Sequence, residues 1–334
     1  MAVPVQGGAL KERRAPAGPR RGLFARIKQS YDRYWYAWAM SAPVALVIAV
    51  VVLYPLARGV YLSLTDATSL NVGRTIGVNH IPDTYSWVGL HNYTQILSGA
   101  DREFWPHFVW TIVWTVSCVA LTYGFGLSLA VLLNRKLRGR TLYRVLLVLP
   151  WAVPTFVTIF SWRLILSDNG VLNGVLGALH LPTPSWLSVP IWQQVAAIAV
   201  NTWVGVPFMM VSLLGGMQAI PGELYEAAEM DGATPWQRFR HVTLPGLRPV
   251  SGTVVLLGVI WTFNQFNVIF LLFGNTGSDS VQILVTYAYQ LFYGQQPQDY
   301  ADSAAYGVLI LSMLVVFAGF YRRWLARNEQ QAAS

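Results

Sequence analysis

The chain of 334 residues has one cysteine, three lysines and a charged fraction of only 11%. Soluble domains carry roughly 25% charged residues, so a surface mostly in contact with water is excluded. Cys118 lies alone in an apolar run, which rules out an internal disulfide and reads most simply as a small buried apolar residue. No lysine follows a glycine, so the Gly-x-x-x-x-Gly-Lys-Ser/Thr phosphate loop is missing and the chain is not its own ATPase of that type. The long apolar stretches contain neither Asp nor Glu, where a proton-coupled carrier places an acid at mid-membrane depth. His80, His91, His107, His180 and His241 are scattered without zinc-like spacing, so no metal or cofactor is expected on this chain and no catalytic residue is assigned.

What is abundant is hydrophobic sequence, 54% of the chain. A bilayer core needs about 20 mostly apolar residues per helix. Six stretches meet that length: Trp38–Leu64, Phe108–Leu133, Leu142–Leu166, Ile191–Leu214, Ser251–Phe273 and Ala304–Leu325. The fold class is therefore all-α, a polytopic integral membrane protein with about six transmembrane helices. The first stretch is too long and begins too far into the chain for an ordinary cleaved signal peptide.

Of the 23 basic residues, 19 fall in four segments on one side of such a six-span chain: the N-terminal tail, Arg135–Arg144, Arg238–Arg248 and Arg322–Arg327. Positive charge marks the cytoplasmic side, so both termini are expected inside a bacterial cytoplasmic membrane. A basic tail followed by a span reads as a topology signal and a contact with membrane lipid, not with nucleic acid. The organisation is then a basic cytoplasmic tail (1–36), a first transmembrane helix (37–65), an outer loop (66–107), a core with five further spans (108–326) and a cytoplasmic C-terminal tail (327–334). The loops Thr65–Pro106 and Asn275–Asp302 are expected to carry short interfacial helices, with aromatics at headgroup depth.

Residues 220–249, between spans four and five, are too polar to cross. Pro221 suits a first helical turn, and Glu223, Glu226 and Glu229 complement the N-terminal half of a helix. Gly232 offers that helix a C-terminus. Thr234-Pro235-Trp236-Gln237 fits an N-cap, a proline at the first position and a capping-box glutamine. Leu244-Pro245 is expected to stop the second helix. The result is a helical hairpin whose Ala227 and Ala228 leave one face flat enough for another protein's backbone to approach.

This segment resembles the Glu-Ala-Ala loop of binding-protein-dependent ABC importers. It supplies Glu226-Ala227-Ala228, Asp231-Gly232-Ala233, Phe239 and Leu244-Pro245 in the family's order. The resemblance implies a permease subunit of the type I importer fold. Its hairpin would dock on a nucleotide-binding ATPase, which itself binds ATP and Mg. Glu226 would pair with a basic group of the ATPase, Ala227 and Ala228 would permit close contact, and Gly232 the turn. A second homologous permease and an extracytoplasmic solute-binding protein are the other partners implied.

Within that family the chain is most similar to the larger permease of maltose- and trehalose-type sugar transporters over about residues 30 to 326. Leu149–Thr155, Asn201–Phe208 and Trp261–Phe266 carry this likeness. Asn201, Val204, Gly205 and Phe208 share one helical face at i, i+3, i+4 and i+7. On resemblance, that face lines a sugar site together with Trp151, Thr155, Thr262 and Asn264, and less securely Gln265. Helix–helix packing is the alternative for the same residues. Cargo alternatives are glycerol-3-phosphate or another polar solute. An ATP-independent secondary carrier is the remaining reading from a different class.

Overall fold

The computed structural model describes residues 23–135, 138–274 and 277–333. The chain divides into two compact units, Met1–Ala57 and Arg58–Ser334. In the first, helix α1 (Leu23–Ile48) passes through a five-residue π-helical stretch, Ala49–Leu53, into α2 (Tyr54–Leu62). Tyr34 departs from helical geometry at φ −127° and marks the start of the apolar span Tyr34–Leu62. No side chain of that span's apolar window is buried.

The second unit opens with the outer loop. A small hairpin of β1 (Arg74–Ile76) and β2 (Asn79–Ile81) pairs antiparallel with Thr75 opposite His80, an element not anticipated from sequence. The Asp66 carboxylate accepts bonds from the Ser86 backbone N–H (2.6 Å) and hydroxyl (2.9 Å), which hold its pKa below the usual carboxylate value. The short helix α3 (His91–Ser98) buries Asn92, whose amide donates to the carbonyls of Ser63 and Thr65. One short helix therefore occurs in this loop.

The core follows: α4 (Phe104–Asn134), α5 (Arg140–Ala152), α6 (Thr155–Ile165), α7 (Val171–Ala178) and α8 (Pro190–Gln218). Then come α9 (Gly222–Met230), α10 (Pro235–Arg238), α11 (Leu244–Gly246), α12 (Arg248–Phe263), α13 (Phe266–Phe273), α14 (Leu284–Tyr289) and α15 (Tyr300–Ala333). Besides Tyr34–Leu62, three helices among the described residues are long and apolar enough to cross a membrane: Phe104–Asn134, Pro190–Gln218 and Tyr300–Arg327. Two bent pairs bring the number to six.

α4 and α8 pack on each other most extensively. They come close at Gly126, where a Cβ would lie 2.5 Å from that of Met209. Only a residue without a side chain lets the two backbones meet there. Trp114, Cys118, Ala196, Val200, Val268 and Leu272 are all fully buried in the cluster beside this crossing.

Two of the expected spans are not straight. Leu142–Leu166 bends by 93° between α5 and α6. The cause is local: Val153 precedes a proline, a position that disfavours helix, and Val153 and Pro154 are both extended (ψ 136° and 130°). Ser251–Phe273 ends its first helix at Phe263 and resumes at Phe266. Here the buried Trp114 Nε1–H donates to the Thr262 carbonyl at 3.0 Å, adding a tie from α4 to an oxygen that also accepts the Gln265 N–H at 3.1 Å.

Candidate functional site

Two constellations stand out: the hairpin that links α8 to α12, and a cavity between α4, α5, α8 and α12.

In the hairpin, α9 ends in a Schellman motif. The Ala233 N–H donates to the Ala228 carbonyl (2.9 Å) and the Gly232 N–H to that of Glu229 (3.0 Å). This closure requires a left-handed residue, and Gly232 has φ +79°. α10 then starts with Thr234 as N-cap, Pro235 at the first position and a full capping box with Gln237. Arg238 and Glu229 pair at 3.1 Å, and the hydroxyls of Tyr225 and Thr243 meet at 3.0 Å, so the two arms are tied to each other.

Two expectations are corrected. Pro221 is the N-cap of α9 (ψ 131°), one position before the helix, because an extended ψ carries the chain out of α8. Leu244-Pro245 does not stop the second helix. A π-helical stretch, Phe239–Thr243, precedes it, and helical residues continue to Gly246 before a 66° bend into α12. A proline lacks its N–H and crowds the carbonyl four residues back. Widening the turn relieves that crowding, and the Leu244 N–H reaches instead to the Phe239 carbonyl. Ala49–Leu53 before Tyr54-Pro55 repeats the device.

At the tip, Glu226, Ala227, Asp231 and Gly232 are exposed, while Ala228, Leu244 and Pro245 are half-buried. Met230 is 88% and Trp236 66% exposed, an apolar pair turned outward on an otherwise polar hairpin.

The cavity measures about 120 Å³. Seven of the nine sugar-site candidates line it: Trp151, Asn201, Val204, Gly205, Phe208, Thr262 and Gln265. Phe208 stands between two indoles, 4.9 Å edge-on from Trp261 and 6.2 Å from Trp151. Asn201 is buried and accepts a bond from the Gln265 amide at 3.4 Å across the α8–α12 boundary. No lining residue is charged.

Thr155 and Asn264 are not among the residues lining it. The bend at Val153-Pro154 removes the i+4 relation between Trp151 and Thr155. Asn264 is exposed and donates to the Ile260 carbonyl on its own helix. The residue that reaches the cavity is Gln265, because Gly258, Trp261, Thr262 and Gln265 repeat the i, i+3, i+4, i+7 spacing of Asn201 to Phe208. That repetition is the signal that could have found Gly258 and Trp261 and set Gln265 ahead of Asn264. Thr122 and Met209 also line the cavity, and nothing in sequence spacing pointed to them. Thr122 Cγ2 would lie 2.7 Å from a Cβ on Gly205, so the absence of a side chain at Gly205 is required by α4.

Comparison with known proteins bears on both constellations. The family described as "Binding-protein-dependent transport system inner membrane component" matches residues 122–330. The "Trehalose/maltose transport system permease protein MalF" of Thermococcus litoralis is 33% identical over 302 residues, 89% of this chain and 97% of that protein. The "Maltodextrin transport system permease protein MdxF" of Bacillus subtilis is 32% identical over 84% of this chain, which spans 66% of that protein. The "Maltose/maltodextrin transport system permease protein MalF" of Escherichia coli K12 is 37% identical over 69% of this chain, which spans only 47% of that longer protein. In fold, the chain superposes on a subunit of a bacterial ABC transporter importing the acidic polysaccharide alginate, with TM-score 0.75 and 21% identity. The match covers 90% of this chain and 99% of the other.

Proposed function

The chain belongs to the family of binding-protein-dependent transport system inner membrane components, with the type I importer permease fold, and from that premise we propose that it conducts an oligosaccharide of the maltose or trehalose type. A solute-binding protein delivers the sugar, and a separate ATPase drives alternating access. The observation that carries the cargo is the cavity itself: two indoles and a phenyl ring beside Asn201, Thr262 and Gln265, with no charge. Aromatic faces suit the C–H surface of a sugar ring, and amides and a hydroxyl suit its hydroxyls. An anionic cargo such as glycerol-3-phosphate would call for a basic group in that lining.

The volume of about 120 Å³ is below the roughly 300–1,000 Å³ of a ligand site. Trp151 and Trp261 are each more than half exposed on this chain. Both facts suit half a site, completed by a second, homologous permease. On the side we assign to the cytoplasm, the exposed tip around Glu226, Ala227, Ala228 and Gly232 is the surface for the ATPase. Both termini lie on that side, following the arginine distribution.

Uptake by proteoliposomes holding the complete complex, supplied with binding protein, tests the reading. Phe208→Ala is expected to raise the KM for maltose or trehalose about three- to tenfold while ATPase coupling persists, in line with the roughly 0.5–1.5 kcal/mol of an aromatic contact. Unaltered sugar kinetics, or vanadate-insensitive uptake abolished by an ionophore, would overturn it.

A further inference from the structure

The bend between α5 and α6 leaves a second, larger groove against α4 and α8, with a volume of about 700 Å³. Its walls include Phe125, Leu147, Pro150, Trp162, Ile198 and Trp203, and it lies within helices long enough to span a bilayer. Along α8 it runs from Val195 to Pro207, about 18 Å at the rise of a helix. Apart from Ser128 and Thr202 the residues lining it are apolar or aromatic, so a hydrocarbon chain meets almost no polar side chain along that length.

The end of the groove near Ser128 and Leu147 is chemically distinct from the rest. One turn further along α5, Arg144 donates an Nη2–H to the Leu133 carbonyl at 3.4 Å, while its buried Nε–H has no partner. Arg135, Arg138 and Arg140 flank it, and no Asp or Glu occurs between Arg135 and Asp168. The single ion pair among the described residues, Arg238–Glu229, involves none of these arginines. Cations without counter-charge, Arg144 one turn beyond Leu147 and three arginines close to it in sequence, next to an apolar groove match the two ends of one molecule.

We propose that this groove is a phospholipid site: an acyl chain fills the elbow between α5, α6, α4 and α8, and the anionic headgroup meets Arg144 and its neighbouring arginines. The site rests on helix packing and charge alone, not on the identity of the cargo. A bound chain would fill the space behind the bend that places Trp151 at the other cavity, which couples membrane composition to the position of that indole.

The test uses the complete complex in nanodiscs of phosphatidylcholine and phosphatidylglycerol in equal parts, with native mass spectrometry counting the lipids retained after release. The wild type is expected to keep at least one lipid, with preference for phosphatidylglycerol. Ala199→Trp, which fills the groove, is expected to lose it. Arg144→Gln is expected to keep a lipid but lose about fivefold of the anionic preference. Thr202 separates the alternatives, since its buried hydroxyl in the groove wall has no partner. Thr202→Val leaves lipid retention intact if the occupant is hydrocarbon. Release of another permease chain by Thr202→Val, or a lipid count unchanged by Ala199→Trp, would overturn the proposal in favour of a protein occupant. A wild-type complex that retains no lipid would also overturn it.

Discussion

The hairpin joins α8 to α12 and the cavity is lined from both helices, yet the two are held by different kinds of contact. In the hairpin nearly every tie is short in sequence. The Schellman closure spans five residues, the capping box three, the Glu229–Arg238 pair nine and the Tyr225–Thr243 bond 18. In the cavity the ties are long: Gln265 to Asn201 spans 64 residues, Trp114 to Thr262 spans 148, and Thr122 meets Gly205 from another helix. The hairpin thus holds its own shape largely through near neighbours, whereas the cavity exists only where four helices have already packed. In the coupling role proposed above, an arm built this way would tilt as a lever and carry α12 with it through the bend at Leu247.

The largest effect should come from breaking the lever at its one conformational requirement. A β-branched side chain in the left-handed region costs about 1–2 kcal/mol, so Gly232→Val should lower sugar uptake at least about tenfold. The variant should still reach the membrane and bind sugar, because no residue of the Gly232 turn lines the cavity. Uptake and membrane abundance measured together check this; normal uptake would show that the turn does not matter to coupling.

Next in size is the non-local contact. Gly205→Ala places a Cβ against the Thr122 methyl and should cost about 1–3 kcal/mol of overpacking. Thr122→Ser removes that methyl but keeps a hydroxyl to bond the Cys118 carbonyl, so the double variant should recover sugar binding. Failure of the rescue would mean that Gly205 touches the sugar itself. Smallest is the exposed ion pair: Glu229→Gln should lower thermal stability by about 1 kcal/mol or less and leave uptake near normal, because Glu229 is 68% exposed. A severe loss of ATP-dependent uptake there would give Glu229 a partner outside this chain.

The same contrast explains what could be read before any coordinates. Thr234, Pro235 and Gln237 formed the cap they spell, and Gly232 took the left-handed angle, because each depends on neighbours a few residues away. On α8, helical spacing was enough to bring Asn201, Val204, Gly205 and Phe208 to one cavity. It failed for Thr155, where the extended Val153-Pro154 pair turns the chain by 93°. For Asn264 the spacing, properly continued from Gly258, already pointed to Gln265 instead. The passage through Leu244-Pro245 was hidden for another reason: a π-helical turn leaves no compositional mark, although a proline just beyond it occurs twice here.

The sequence by itself determined that this chain is built of apolar helices, and where the polar hairpin between α8 and α12 turns and is capped. It could do so because hydropathy, caps and glycine angles are properties of adjacent residues. Only the tertiary structure decided how sharply the third span folds at Pro154, that Thr122 and Met209 join the cavity, and that an apolar groove opens behind the bend. Those features depend on which helix surfaces meet, and contacts between residues a hundred positions apart leave no periodic trace along either helix.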